Sequence, residues 1–222
     1  YNQSTSGQPV PLTRMGRGAL LIRVQKAHLA IYLIALHLKS KLLTFKDENG
    51  RSSFVPKNED DRAEVAGIAL HRRTAEAVTV RQRINQFIEN KSGQPLLVMG
   101  DFNDVPDAQT SLIFTGPTGS QIGTRGFNRA DSGDDARLFN LAPLIPEERR
   151  YSRIHNGRGE LLDQIFASEE LFPRDAGNDR IFPVVDSLVN FAGNLESITD
   201  NPNLRVDEIP PDHAPVIAAF EL

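Results

Sequence analysis

The sequence lacks several features that define particular classes of protein. None of its 222 residues is cysteine, which excludes a disulfide framework, a thiolate metal site and a thiol nucleophile within this chain. No apolar run approaches the roughly 20 residues that a membrane-spanning helix needs, so we expect no membrane span. Positive charge is not in excess, since 25 Lys and Arg stand against 29 Asp and Glu. Nucleic-acid binding through bulk positive charge is therefore disfavoured, and a phosphate-bearing substrate would need a local cation.

The rest of the composition is that of an ordinary globular protein, which we interpret as a single domain over residues 1–222. Two apolar runs at residues 18–24 and 29–38 predict an antiparallel hairpin, and residues 60–90 have the period of one long or two consecutive amphipathic helices. Further strands are predicted at 96–99, 181–189 and 216–222, and a second hairpin is predicted with arms at 151–154 and 160–168 joined by a turn at Asn156 and Gly157. Strands, helices and short hairpins in this order predict an α/β (α+β) fold with mixed, mostly antiparallel sheets covered by helices.

The stretch from Leu96 to Asp104 places polar side chains directly after a buried strand. Gly100 allows the backbone to approach a ligand, and Asp101 and Asn103, two apart on a continuing strand, are expected to project from the same face. A carboxylate that holds a water, beside an amide that donates to a phosphate oxygen, suits attack of water on an anionic ester. The alternative interpretation is a strand followed by an Asx turn, in which these side chains serve local hydrogen bonding.

Further polar side chains lie where predicted strands meet loops: His37, Asp163, Asp212 and His213. Taken alone, three of these residues have structural explanations. His37 is a hydrogen-bonded histidine at a strand end, Asp163 is a buried carboxylate with a partner, and Asp212 caps a turn. Together they form a coherent chemistry, because a histidine that acts near neutral pH is usually oriented by a carboxylate, here Asp163 for His213. Asp212, pointing the other way, would bind a divalent cation that neutralises the phosphate while Asp101 positions the attacking water.

Four motifs carry these residues, and their order and spacing resemble the endonuclease/exonuclease/phosphatase superfamily. That superfamily includes pancreatic-type deoxyribonucleases, apurinic-site endonucleases, inositol polyphosphate 5-phosphatases and neutral sphingomyelinases. The resemblance runs from about His37 to Leu222 and rests on Ile-Ala-Leu-His37-Leu-Lys-Ser-Lys, Val-Met-Gly-Asp101-Phe-Asn103-Asp, Leu-Leu-Asp163-Gln-Ile-Phe and Asp212-His213-Ala-Pro-Val. It implies a four-layer αββα sandwich and hydrolysis of a phosphoester with Mg²⁺ or Mn²⁺ as cofactor.

The resemblance also implies roles for the catalytic residues. Asp101 orients or deprotonates the attacking water, Asn103 holds a phosphate oxygen, and His37 contacts the phosphate or assists the leaving group.

On the same basis, His213 contacts the phosphate and stabilises its developing charge. Asp163 orients His213, and Asp212 helps to bind the metal.

One part of the family pattern is not found in this sequence. The family domain begins with strands that supply an Asn and a metal-binding Glu, and nothing before Gly18 resembles either strand. We therefore expect a domain that is incomplete at its N-terminus, with the missing strands and metal ligand supplied by a longer parent chain or by another chain. The first residue, Tyr1, is not Met, as expected of a processed or cropped polypeptide.

The expected function is that of a divalent-metal-dependent phosphodiesterase or nuclease acting on a phosphoester substrate, with DNA as one candidate. Alternatives are an inositol-phosphate phosphatase, a sphingomyelinase-like phosphodiesterase, or a non-catalytic binding module that keeps the fold. Competent side chains at every motif position present favour an enzyme. Arg73 and Arg81, on the predicted helix, are interpreted as part of a solvated helix face, with contact to the substrate as the alternative. Specificity is assigned to the loops at 39–59, 116–135 and 192–211.

Overall fold

A computed structural model describes residues 2–3, 10–11, 14–26, 28–90, 93–116, 119–128, 136–189 and 212–221. The α-helices and strands of these ranges are, in order, β1 (Asn2–Gln3), β2 (Val10–Pro11), β3 (Leu20–Lys26), β4 (Leu29–His37), β5 (Phe45–Lys46), β6 (Ser52–Ser53), α1 (Glu59–Asn90), β7 (Leu96–Asp101), α2 (Gln109–Leu112), β8 (Leu138–Asn140), β9 (Arg153–His155), β10 (Arg158–Glu160), β11 (Asp163–Ser168), β12 (Val184–Ser187) and β13 (Val216–Ala219). Short 3₁₀ helices lie at Ala142–Leu144, Glu147–Arg149 and Glu169–Leu171.

Five strands form the central sheet in the order β3-β4-β7-β11-β8. β4 and β7 run parallel, and the other neighbouring pairs are antiparallel, so the predicted mixed, mostly antiparallel sheet is confirmed. The register pairs His37 with Asp101, and Asp101 with Asp163. Because these strands are hydrogen-bonded neighbours, three polar residues stand in a row at one end of the sheet.

The two faces of the central sheet pack against different elements. Leu96 of β7 belongs to the same apolar cluster as Ala77 of α1, whereas its neighbour Leu97 packs with Val185 of β12 and Val216 of β13. This division follows from the period of two along a strand. Helix, central sheet and a second sheet of β12 and β13 are therefore three successive layers, as expected for the αββα sandwich that the family resemblance implies.

One continuous helix, α1, covers the sheet. Asn58 caps it by accepting a hydrogen bond from the N–H of Asp61 at 2.9 Å, and its acidic first turn complements the helix dipole. Its buried apolar side chains recur at helical spacing: Ala69, Ala77, Val80 and Ile84. Although α1 has 32 residues, neither it nor any other described helix is apolar enough to cross a bilayer.

The structure differs from the prediction between residues 151 and 168. The sequence predicts one hairpin with arms at 151–154 and 160–168, but β9 and β10 close a small sheet of their own before β11 begins at Asp163. In the chain, Leu161 and Leu162 connect β10 to β11, and both are buried. The apolar pattern of the sequence therefore continues through a position where the strand is interrupted. The predicted loop at 192–211 lies outside the described residues.

Candidate active site

Neighbouring strands deliver polar side chains to one end of the central sheet. β4 ends at His37, β7 ends at Asp101, and β11 begins at Asp163. His213 comes from the segment that precedes β13. Asp101, Asp163 and His213 each offer one nitrogen or oxygen atom, and these atoms all lie within 4.8 Å of one another. The structure thus brings together residues that are far apart in sequence.

Asp163 and His213 form the shortest contact of this group. Nδ1 of His213 lies 2.6 Å from Oδ2 of Asp163, and this hydrogen bond is the main cause that raises the pKa of His213. Burial acts in the opposite direction, and the charges of Asp163, Asp101 and Asp212 add to the increase. Because Nδ1 faces Asp163, Nε2 is the ring atom directed elsewhere, and it lies 4.0 Å from Oδ2 of Asp212. The Asp212 side chain is itself more than half exposed.

Ser152 is a site residue that the sequence analysis missed. It is fully buried, and its hydroxyl donates to Oδ2 of Asp163 at 2.7 Å. The Ser152 hydroxyl oxygen in turn accepts hydrogen bonds from the backbone N–H groups of Leu162 at 3.1 Å and Asp163 at 3.2 Å. The carbonyl of Ser152 accepts from the N–H of Ala214 at 2.7 Å. Ser152 therefore holds both the strand that carries Asp163 and the segment that carries His213, and no local sequence signal marks it.

Asp101 is held by Asn103, though not in the way that the sequence predicts. Instead of continuing β7, the backbone turns at Asn103, whose φ is 52°, and the Asn103 N–H donates to Oδ1 of Asp101 at 2.7 Å in an Asx turn. The Asn103 amide donates to Oδ2 of Asp101 and to the carbonyl of Leu38, both at 3.0 Å. The expected common face on a continuing strand is wrong, because the left-handed residue redirects the chain and buries the amide.

The environment of Asp101 raises the pKa of its carboxyl group. Burial is the largest cause, and the negative charge of Asp163 adds to it, while the hydrogen bond from Asn103 and the charges of His213 and His37 act against it. Asp101 therefore accepts a proton more readily than an exposed aspartate does.

His37 borders the group on the side of β4. Its Nε2 lies 3.3 Å from Oδ2 of Asp101 and also contacts the guanidinium of Arg17. Since a guanidinium offers only donors, Nε2 accepts in that contact. The half-exposed His37 ring is thus shared between Asp101 and a cation that the sequence analysis did not single out.

Asp104, which follows Asn103, is buried beside cations rather than directed to the site. Its Oδ2 accepts from Thr110 at 2.6 Å and from Arg73 at 3.2 Å, and Lys41 lies 3.0 Å from Oδ1. Burial alone would raise the pKa of Asp104, but these hydrogen bonds and charges lower it. Arg73 is 5% exposed and Arg81 donates to the carbonyl of Ala136 at 2.6 Å, so the interpretation of both arginines as solvated is wrong.

The donor set of the site fits a hard divalent cation in its chemistry. Two carboxylates, those of Asp101 and Asp163, stand on paired strands, and burial, with the charge of Asp163 added, raises the pKa of Asp101. A cation beside Asp101 would favour its ionised form, and carboxylate oxygens are the ligands that such a cation prefers. The carboxylate of Asp212 adjoins the same imidazole from the solvent side.

Comparison with protein families gives one clear result. The model of the endonuclease/exonuclease/phosphatase family matches residues 14–199 of the chain. A search of curated proteins found no match.

Among solved structures, similarities are distant in sequence. A truncated TDP2 from Caenorhabditis elegans is 13% identical, with a TM-score of 0.49, and the alignment covers 99% of this chain and 62% of that one. The human Nocturnin catalytic domain with a bound sulfate anion is 15% identical (TM-score 0.36, 68% of this chain and 40% of that one). A β-hairpin deletion mutant of beta toxin from Staphylococcus aureus is 16% identical (TM-score 0.34, 69% and 44%). The chain therefore spans less than two thirds of each of these proteins.

Proposed function

The chain belongs to the endonuclease/exonuclease/phosphatase family, and from that premise we propose that it is a divalent-metal-dependent phosphodiesterase, acting as a nuclease. Family members are typically hydrolases of phosphoesters. The single observation that carries the proposal is the convergence of Asp101, Asp163 and His213, with one ligand or proton-carrying atom of each within 4.8 Å. This arrangement combines an acceptor for a proton with an oriented imidazole.

In the proposed mechanism, Asp101 orients the attacking water and takes its proton. Its carboxylate suits this role because burial raises its pKa, and because Asn103 fixes both of its oxygens. The Asn103 amide uses its two N–H groups on Asp101 and Leu38. It would therefore hold a phosphate oxygen, as the family resemblance implies, only by releasing one of them.

His213 is proposed to donate from Nε2 to a phosphate oxygen as negative charge develops there. Asp163 keeps the ring in place through Nδ1 and favours the protonated form that carries the donated hydrogen. His37, at the end of β4, is proposed to contact the phosphate or the leaving group from the opposite side of Asp101.

Asp212 is proposed to help to hold the metal ion, Mg²⁺ or Mn²⁺. The ion would supply charge neutralisation at the phosphate. Because hard cations take six or more oxygen ligands, we also propose that residues outside this chain segment, in a longer parent or a partner, add a carboxylate to the site and strands to the domain.

The first test is hydrolysis of bis-p-nitrophenyl phosphate by the 222-residue chain and by its full-length gene product, each with Mg²⁺, Mn²⁺ or EDTA. Metal-dependent activity that EDTA abolishes is expected in the full-length protein, and plasmid DNA is then the first polymer to assay. Activity that persists in EDTA would contradict the metal-dependent mechanism.

Two substitutions test the residues directly. Asp101→Asn and His213→Ala are each expected to lower kcat/KM by at least about 100-fold with folding intact, because each removes a group that acts in the transition state. His155→Ala is the matched control, since His155 is exposed on the β9–β10 hairpin. Near-wild-type activity of either site variant would refute the assignment.

A further inference from the structure

A second polar cavity lies next to the candidate active site. It has a volume of about 190 Å³ and is lined by Gly16, Arg17, Lys39, Ser40, Arg72 and Glu76. A water molecule occupies about 30 Å³ of liquid volume, so the cavity has room for a small polar group and its hydration. Arg17 connects the cavity to the active site, because it lines the cavity and also contacts Nε2 of His37.

Positive charge dominates this cavity. Its lining includes the cations Arg17, Lys39 and Arg72 against one carboxylate, Glu76. Lys39 shows the imbalance, because its pKa is lowered by burial first and then by the charges of Arg72, Arg17 and Arg73, with only Glu76 acting against them. An anion in the cavity would relieve this mutual repulsion.

The buried Glu76 organises the cavity wall and offsets part of its positive charge. One of its oxygens accepts from the N–H of Gly16 at 2.9 Å and the other from the N–H of Lys39 at 2.8 Å. The first oxygen also lies 3.4 Å from Nε of Arg72. Glu76 thus ties two chain segments to α1, with the guanidinium of Arg72 on the same wall.

Gly16 lies against the end of the Arg72 side chain. A Cβ at this position would lie 2.2 Å from Nη2 of Arg72, so the guanidinium packs directly on the glycine. A larger residue here would displace the end of the Arg72 side chain.

We propose that this cavity binds a second phosphate group of the substrate, one that neighbours the phosphate being cleaved. The inference rests on the proposed function, and it narrows the substrate class to phosphoesters that carry two nearby phosphates. Arg17 and Arg72 are the residues that contact this group, and Lys39 adds charge. Either a terminal phosphate monoester or the next diester of a polynucleotide supplies this chemistry.

The test is a set of binding cycles in EDTA, so that it does not depend on turnover. Calorimetric titrations compare the unphosphorylated dinucleotide TpT with pTpT and TpTp, which add a terminal phosphate, and with TpTpT, which adds an internal one. Each is titrated into wild-type chain, Arg72→Gln and Arg17→Gln. Arg83→Gln is the matched control, because Arg83 is exposed on the same helix and contacts Gln86.

Removing the second phosphate is expected to weaken binding about tenfold, and so is Arg72→Gln. The two changes together are also expected to weaken binding by no more than about tenfold, because both delete the same charge-assisted contact. This non-additive loss is the coupling that the test measures. Arg17→Gln, which leaves the Glu76 network untouched, is expected to show the same coupling, and Arg83→Gln none. Coupling with pTpT or TpTp alone identifies a terminal phosphate, and coupling with TpTpT identifies a polynucleotide backbone.

Additive losses for every phosphorylated ligand would overturn the proposal, since they mean that Arg72 and Arg17 do not contact the added phosphate. Equal losses in Arg83→Gln would overturn it as well, because the effect would then be general charge. Failure of the proposed function alone would give a different result: metal-dependent hydrolysis would be absent while the binding cycles still show coupling.

Discussion

Ser152→Ala is the perturbation that most directly tests how the candidate site is held together. The hydroxyl of Ser152 donates to Asp163 and accepts from two backbone N–H groups, all within a fully buried environment. Alanine fits the same space but leaves these donors and the carboxylate without that partner. The substitution therefore affects both the stability of the fold and the orientation of Asp163.

The expected loss of stability follows from the three hydrogen bonds. A neutral hydrogen bond contributes about 1 kcal/mol net and one to a charged group about 1.5–3 kcal/mol, so loss of two neutral bonds and one charged bond in Ser152→Ala is expected to lower the free energy of unfolding by about 3.5–5 kcal/mol. Ser168→Ala is the matched control, because Ser168 is a buried serine whose hydroxyl accepts one hydrogen bond, from the N–H of Leu96 at 3.0 Å. Its expected cost is about 1 kcal/mol.

The effect on activity separates the two serines. Oδ2 of Asp163 keeps its contact with His213 in Ser152→Ala but loses the hydrogen bond from Ser152, and a small misplacement of a catalytic group costs up to about 100-fold in rate. We expect kcat for bis-p-nitrophenyl phosphate to fall about 10- to 100-fold with KM nearly unchanged, and Ser168→Ala to keep kcat. Urea unfolding and steady-state kinetics on the same preparations measure both quantities. Equal kcat values in the two folded variants would refute the argument that Ser152 positions Asp163.

Further predictions concern the surrounding structure. Asp104→Asn is expected to cost about 2–4 kcal/mol by leaving Arg73 buried without its carboxylate. Because the pKa of Asp104 is lowered, its stabilising contribution is present above about pH 4 and is lost as pH falls through the folded-state pKa. The free energy of unfolding of the variant, measured with urea, should therefore fall less steeply than that of the wild type between pH 5 and pH 2, roughly the range in which carboxylates titrate. Gly100→Ala is expected to cost about 3 kcal/mol or more, since φ is +140° and a Cβ would lie 1.9 Å from the carbonyl oxygen of Leu36; a wild-type melting temperature would contradict this. Mg²⁺ at about 100 times its Kd should stabilise the protein by about 2.7 kcal/mol, and Asp212→Asn should reduce that thermal shift, whereas an unchanged shift would exclude Asp212 as a ligand.

The sequence predicted the elements of the fold well where apolar residues form uninterrupted runs. The hairpin of β3 and β4, the helix α1 and the central strand β7 all lie close to their predicted positions, because burial of one or both faces leaves a periodic pattern in the chain. The polar residues at strand ends were found for the same reason, since each interrupts or ends such a run.

The sequence could not predict contacts made by isolated polar residues across long separations. Ser152 bonds to Asp163 in a region where the sequence predicts one hairpin and the structure has β9, β10 and β11. Arg73 bonds to Asp104, which lies 31 residues away in the chain. Neither has a pattern in its neighbours. The prediction that β7 continues through Asn103 failed for a different reason. A strand and an Asx turn are both compatible with the local sequence, and only the tertiary contact with the carbonyl of Leu38 decides between them.

The late position of His213 in the chain has a consequence for synthesis. His213 is 50 residues beyond Asp163, so at about 5–20 residues per second the ribosome needs roughly 3–10 s to add it after its partner. During that interval the nascent chain already contains both aspartates of the central sheet but not the imidazole that pairs with Asp163. The group of Asp101, Asp163 and His213 therefore assembles only after the segment that precedes β13 has been synthesised.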